Sequence, residues 1–176
     1  MEIFRRGRNR KLFQDFVSPE ALAKLQGKTQ LSVGKIEGKH FQFVVILIED
    51  SNPYEIPGII SAVVGCLLQH GAILSNLSSS LLVGLLGVPF PQGDSPEARQ
   101  GLVEALLRQN GDRIRIAHGQ CDGAVGFLGT NERCTYGEVI PGFSAILKRL
   151  LETNFGTAVE IDSKPLTDSA WVKPSE

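Results

Sequence analysis

The stretch Gly71–Gly87, GAILSNLSSSLLVGLLG, constrains the fold more than any other part of the chain. Two apolar runs, Ala72–Leu74 and Leu81–Leu86, flank the polar sequence Ser75-Asn76-Leu77-Ser78-Ser79-Ser80. Serine and asparagine favour turns because their short side chains bond nearby backbone. The pattern therefore predicts a β-hairpin. Its second run carries no polar side chain, and a strand wetted on one face would alternate. Both faces of that strand are expected to be covered, which puts it inside a sheet. The serines at its tip then stand where a ligand or partner can reach them.

The other elements are read around this hairpin. Phe41–Ile48, FQFVVILI, is β-branched or aromatic almost throughout and reads as a strand. Leu31–His40, with its two glycines, reads as a connector. Pro57–His70 reads as a helix, since Ile59, Ile60, Val63, Val64, Leu67 and Leu68 recur at helical spacing. Ser95-Pro96-Glu97 carries the signs of a helix start, a serine cap followed by proline. Ala98, Leu102, Ala105 and Leu106 give its buried face, and Asn110-Gly111 its end. Asp112–His118 alternates isoleucines with Arg113 and Arg115 and predicts a strand. Thr130–Tyr136 reads as a polar turn, Ile140–Leu151 as a helix and Thr157–Asp162 as a strand. Trp171 is placed on a short edge strand in the tail.

Residues 1–30 are read as a basic linker, RRGRNRK, followed by an amphipathic helix from Leu12 to Gly27, and residues 31–176 as the main domain. The net charge of −1 gives the whole chain no global attraction to nucleic acid or to an anionic membrane. No apolar run reaches membrane-spanning length, and the expected location is cytoplasmic. Cys66, Cys121 and Cys134 are odd in number and widely spaced, which fits neither a disulfide framework nor a zinc site.

Two stretches invite a chemical reading. Glu49-Asp50 closes the Phe41–Ile48 strand, a position suited to a metal ligand or base, although the pair equally suits capping of the turn Ser51-Asn52-Pro53. Gly119–Gly129, GQCDGAVGFLG, is glycine-rich but has neither a Walker lysine nor dinucleotide spacing. Glycines in a strand more often permit bulges and close backbone approach. Asp122 is read as a turn aspartate, His118 as a half-buried strand histidine, and His40 and His70 as residues at element ends.

The resulting order contains a βαββαβ core, which predicts a ferredoxin-like α/β sandwich (α+β) with extra strands. With that order in place, several phrases resemble the catalytic domain of class III adenylate and guanylate cyclases, from Leu12 to Ile161. FVVILIED resembles the family's first strand, which ends in a metal-binding aspartate, and Asp50 falls on that position. GAILSNLSSSLLVGLLG resembles the family hairpin, and RIRIAHGQ the strand after the second helix. GFLGTNERCTY is similar to a glycine, arginine and tyrosine pattern through Gly126, Gly129, Arg133 and Tyr136. VIPGFSAILKRL resembles the last motif, with Arg149 on the transition-state arginine.

The resemblance also marks departures. Ser80 stands where the second metal aspartate belongs, Ser79 where a glycine precedes it, Asn76 at the base-reading lysine and Ala145 at the asparagine. The base-selecting position has no clear counterpart, because the register slips near Gly137-Glu138. Two divalent ions about 4 Å apart repel by about 16 kcal/mol at an effective dielectric near 20. Bridging carboxylates must offset that repulsion, and a serine hydroxyl brings no charge. The resemblance thus implies a degenerate domain, signalling as a homodimer or as a heterodimer with a related cyclase domain, or by binding a nucleotide. No cofactor is expected on this reading. The alternative is a weak or unusual cyclase using Asp50, Arg149 and Mg or Mn on ATP or GTP.

Overall fold

The computed structural model describes residues 36–49, 52–77, 80–89, 93–129 and 134–162. The chain runs as β1 (Ile36–Ile48), α1 (Ile56–Gln69), β2 (Ile73–Leu77), β3 (Leu81–Leu86), α2 (Pro96–Asn110), β4 (Ile114–Gly129), β5 (Cys134–Val139), α3 (Phe143–Glu152) and β6 (Ala158–Asp162). The strand order is β2-β3-β1-β4-β5, with β6 also on β4. The β2-β3-β1-β4 portion is the expected ferredoxin-like arrangement, its inner strands antiparallel from Gln42↔Leu86 to Leu47↔Leu81. The extra strands share the outer edge of β4. Antiparallel β5 takes Ala124–Gly129, and parallel β6 takes Ile116–Gln120.

Side-chain alternation along β1 builds two cores. Phe41, Phe43 and Val45 face Ile146 and Leu150 of α3, whereas Val44, Ile46 and Ile48 face α1 and α2 through Val63, Leu67, Leu102 and Leu106. Strand β3 feeds both, with Val83 and Leu85 on one side and Leu82 and Leu86 on the other. It is interior and doubly covered, as its unbroken apolar run required. Each such fully buried side chain contributes about 1.5–3 kcal/mol.

Local chemistry sets the helix ends. Ser95 Oγ accepts from the Ala98 amide at 3.1 Å, with Pro96 at the first helical position of α2. His70 closes α1, its amide donating to the Cys66 carbonyl and its ring nitrogen lying 2.9 Å from the same oxygen. At the end of α3 the donors come from another element. Arg115 of β4 donates to the Leu151 and Thr153 carbonyls at 2.8 and 3.0 Å, and its guanidinium lies 4.6 Å from the centre of the Phe155 ring.

Several boundaries differ from the sequence reading. The second half of the Leu31–His40 connector belongs to β1, where Ile36–His40 pairs with Asp122–Gly126. Most of these side chains are exposed, so the segment is a strand by hydrogen bonding and not by burial, and it lacks an apolar signature. Cys134–Tyr136, read as turn, opens β5. Asp112 and Arg113 form a single 3-10 turn, and the strand runs on through the glycine-rich stretch to Gly129. A Cβ at Gly119 would lie 2.3 Å from the Ile161 carbonyl oxygen and 2.9 Å from the Phe43 ring. At Gly123 it would lie 2.6 Å from the Val139 carbonyl oxygen and 2.8 Å from the Phe41 ring. These glycines let backbone and aromatic rings pass closely. Asp122 is accordingly a strand residue, facing His40 at 2.9 Å, and His40 lies within β1 instead of at its end.

The expected N-terminal helix, the basic cluster and the strand at Trp171 lie outside the described residues. Among the described residues no helix is long and apolar enough to cross a membrane.

Candidate functional site

The last turn of sheet before α1 gathers three segments. The Ile48 amide donates to the Ser80 carbonyl at 2.8 Å, and the Glu49 amide to the Arg113 carbonyl at 2.8 Å. The end of β1 is thereby fixed between the hairpin tip and the start of β4. Ser80 is half-buried there. Asp50 and Ser79 lie outside the described residues, as does Arg133. Asn76 sits in β2 opposite Val83, just past a bulge, and its side chain is not among those described.

The described acidic groups at this end already have a cation. Arg113 Nε lies 3.8 Å from Glu49 Oε2, and the same guanidinium pairs with Glu55. Asn52 Nδ2 donates to the other oxygen of Glu55 at 2.7 Å. A carboxylate shared with an arginine is a weaker ligand for a divalent ion, because metal and guanidinium compete for the same charge.

The two positions assigned on α3 are solvent-facing. Ile146 and Leu150 take the buried stripe, leaving Ala145 and Arg149 outside, one turn apart. Arg149 is 65% exposed, and its ion-pair partner is Glu152 at 3.7 Å. That partner belongs to its own helix and not to the end of β1.

Two groupings escaped the sequence reading. In the first, Ser75 Oγ donates to Glu138, joining β2 and β5 although these strands terminate opposite ends of the sheet order. The sheet therefore curls around the core under α3. Burial raises the Glu138 carboxyl above its ordinary value, and the Ser75 bond only partly offsets this. Glu138 also helps burial and Asp122 push the Cys121 thiol up to about 12, so this buried cysteine is a poor nucleophile. The slip in register at Gly137-Glu138 was the only hint.

The second grouping lies at the middle of β1, under α2. Arg99 is 4% exposed; its Nη1 donates to Gln42 Oε1 at 2.6 Å and its other Nη pairs with Glu160. His118, far more buried than expected at 4%, lies beside this pair. One signal was present. Arg99 precedes Leu102, Val103 and Leu106 at helical spacing, which puts it on the buried face of α2.

No family model matches the chain, and no curated protein sequence matches it. Solved structures do. A bacterial light-regulated adenylyl cyclase aligns with TM-score 0.63 and 6% identity, over 86% of this chain and 51% of that one. The catalytic core of a rhodopsin-guanylyl cyclase with converted specificity, in complex with ATPαS, aligns with TM-score 0.58 and 10% identity over 71% and 79%. The guanylate cyclase domain of RhGC from Catenaria anguillulae, in complex with GTP, aligns with TM-score 0.52 and 13% identity over 71% and 79%. At such identities the likeness is one of architecture. This chain has the ferredoxin-like α/β fold, with added strands, of nucleotidyl cyclase catalytic domains.

Proposed function

We propose that the chain is a degenerate nucleotidyl cyclase-homology domain, which acts in signalling by dimerising or by holding a ligand and does not cyclise a nucleotide. One observation carries the reading. Ser80, the residue bonded to the last residue of β1, brings a hydroxyl where the resemblance calls for the second carboxylate. Glu49, the neighbour of Asp50 in sequence, is engaged by Arg113. The charge needed to hold two divalent ions together is therefore short by one carboxylate.

A nucleotide is the favoured ligand, since domains of this fold have been solved with GTP and with ATPαS. The favoured partner is a second copy or a related cyclase domain. Purified protein incubated with ATP or GTP and manganese is expected to form no cyclic nucleotide, while calorimetry is expected to detect nucleotide binding. Turnover that Asp50→Ala abolishes would replace this reading with that of a weak cyclase using Asp50 and Arg149.

A further inference from the structure

We infer that His118, Arg99 and Glu160 form an acid-sensitive latch on β6: at neutral pH they hold this edge strand against β4, and protonation of His118 releases it. The inference is independent of whether the chain cyclises nucleotides.

The geometry begins with the register. His118 lies opposite Val44 of β1 on one side and Glu160 of β6 on the other, and α2 lays Arg99 over it. The guanidinium spans the cluster, bonded to Gln42 at 2.6 Å and paired with Glu160. Gln42 in turn makes long contacts to Asp94 and Gln120, at 3.5 and 3.4 Å. The charged groups acting on His118 are thus Arg99 from α2 and Glu160 from β6, while β1 supplies only the neutral Gln42 and Val44. His118 Nδ1 is buried without a hydrogen-bond partner among the described residues.

A proton taken from solvent by this imidazole creates a second cation beside Arg99, with one carboxylate between them. Glu160 is 59% exposed, so water screens much of what it offers. Burial and Arg99 accordingly outweigh it and hold the histidine below its ordinary value of 6.5. The charged form is relieved only by reaching water, and the element that yields decides the outcome. Strand β1 is paired on both sides, and α2 is anchored by Leu102 and Leu106. Strand β6 is five residues long, pairs among the described residues with β4 alone, and none of its described side chains is fully buried. Local opening concentrates in such elements.

The test is amide hydrogen exchange on the whole chain at pH 7.5 and pH 5.5, corrected for intrinsic rates. Residues 158–162 are expected to lose protection several-fold, up to a ceiling of about tenfold for one histidine released at its ordinary value, at the lower pH relative to β1 and β3, and His118→Phe is expected to abolish that segment-specific loss. An equal loss in the variant would assign the effect to another group and overturn the latch. Uniform loss throughout the sheet, or no loss, would overturn it too. Should the variant not fold, the His118 ring signals of the wild-type chain decide by NMR: titration must coincide with β6 opening, and a ring that stays neutral while β6 opens refutes the proposal.

Discussion

The middle of β1 and its end at Ile48 hold the same kinds of side chain in opposite surroundings. Near Gln42 an arginine, a glutamate, a glutamine and a histidine meet under α2, with Arg99 and Gln42 removed from water. Beyond Ile48 another arginine meets two glutamates, but Arg113, Glu49 and Glu55 are all between a third and a half exposed. Burial, and not residue type, sets what each cluster is worth. A buried donor that loses its partner has no water to replace it, whereas an exposed ion pair exchanges one solvated state for another. The first cluster fastens the fold; the second tunes charge beside the candidate site.

The largest effect is expected on the opposite face of β4 from the first cluster, where ring and backbone leave no room. Gly119 follows His118 and sits under both Phe43 and the Ile161 carbonyl. Gly119→Ala is expected to cost about 3 kcal/mol, read as a lower urea midpoint, because a backbone oxygen cannot rotate away as a side chain can. Arg99→Ala should come next, at about 2 kcal/mol, through the orphaned Gln42 and the lost charged hydrogen bond. Glu160, already half in water, limits the loss. A cost below about 0.5 kcal/mol for Arg99→Ala would mean that water reaches the cluster, since exposed charges behave that way.

These residues also mark what could be read from the chain alone. The hairpin, α1 and α2 were legible because each rests on a local period or a local cap: the unbroken run in β3, the helical repeat of α1, Ser95 on the Ala98 amide. The first cluster was not, because Gln42, Arg99, His118 and Glu160 come from four distant segments and meet only after the sheet has formed. The glycines of β4 were read as permitting close backbone approach, which holds, but what they approach was not legible, for the same reason. Their role is set by Phe41, Phe43 and two carbonyls from other strands, which nothing adjacent in sequence announces. At the candidate site, the resemblance nominated Ser80, Ala145 and Arg149 from order and spacing, whereas the pairing of Ser75 with Glu138 depends on how far the sheet curls.

That pairing gives a pH dependence of its own. Below the ordinary carboxyl value of 4.5, Glu138 is protonated in both folded and unfolded chains and its full contribution to stability is present. As pH rises, the unfolded chain ionises first, while burial keeps the folded carboxyl protonated to a higher pH. Stability therefore falls between 4.5 and the raised folded value, then levels off. Glu138→Gln is expected to remove this step from a denaturation series run from pH 4 to pH 8. Retention of the full step in the variant would show that Glu138 does not titrate inside the curl.

The smallest effect is expected where the charges are most numerous. Arg113→Ala removes the cation from Glu49 and Glu55 together, yet it should change stability by less than about 1 kcal/mol, and by less still in 0.5 M salt. The backbone bonds that fix this end of β1, Ile48 to Ser80 and Glu49 to the Arg113 carbonyl, do not involve the guanidinium and should survive. What should change is the charge facing any ligand: two carboxylates lose their partner, so an anionic nucleotide should bind more weakly to the variant, most clearly at low ionic strength. If Arg113→Ala instead costs as much as Arg99→Ala and the loss is insensitive to salt, the end of β1 is as dry as its middle, and the contrast between them fails.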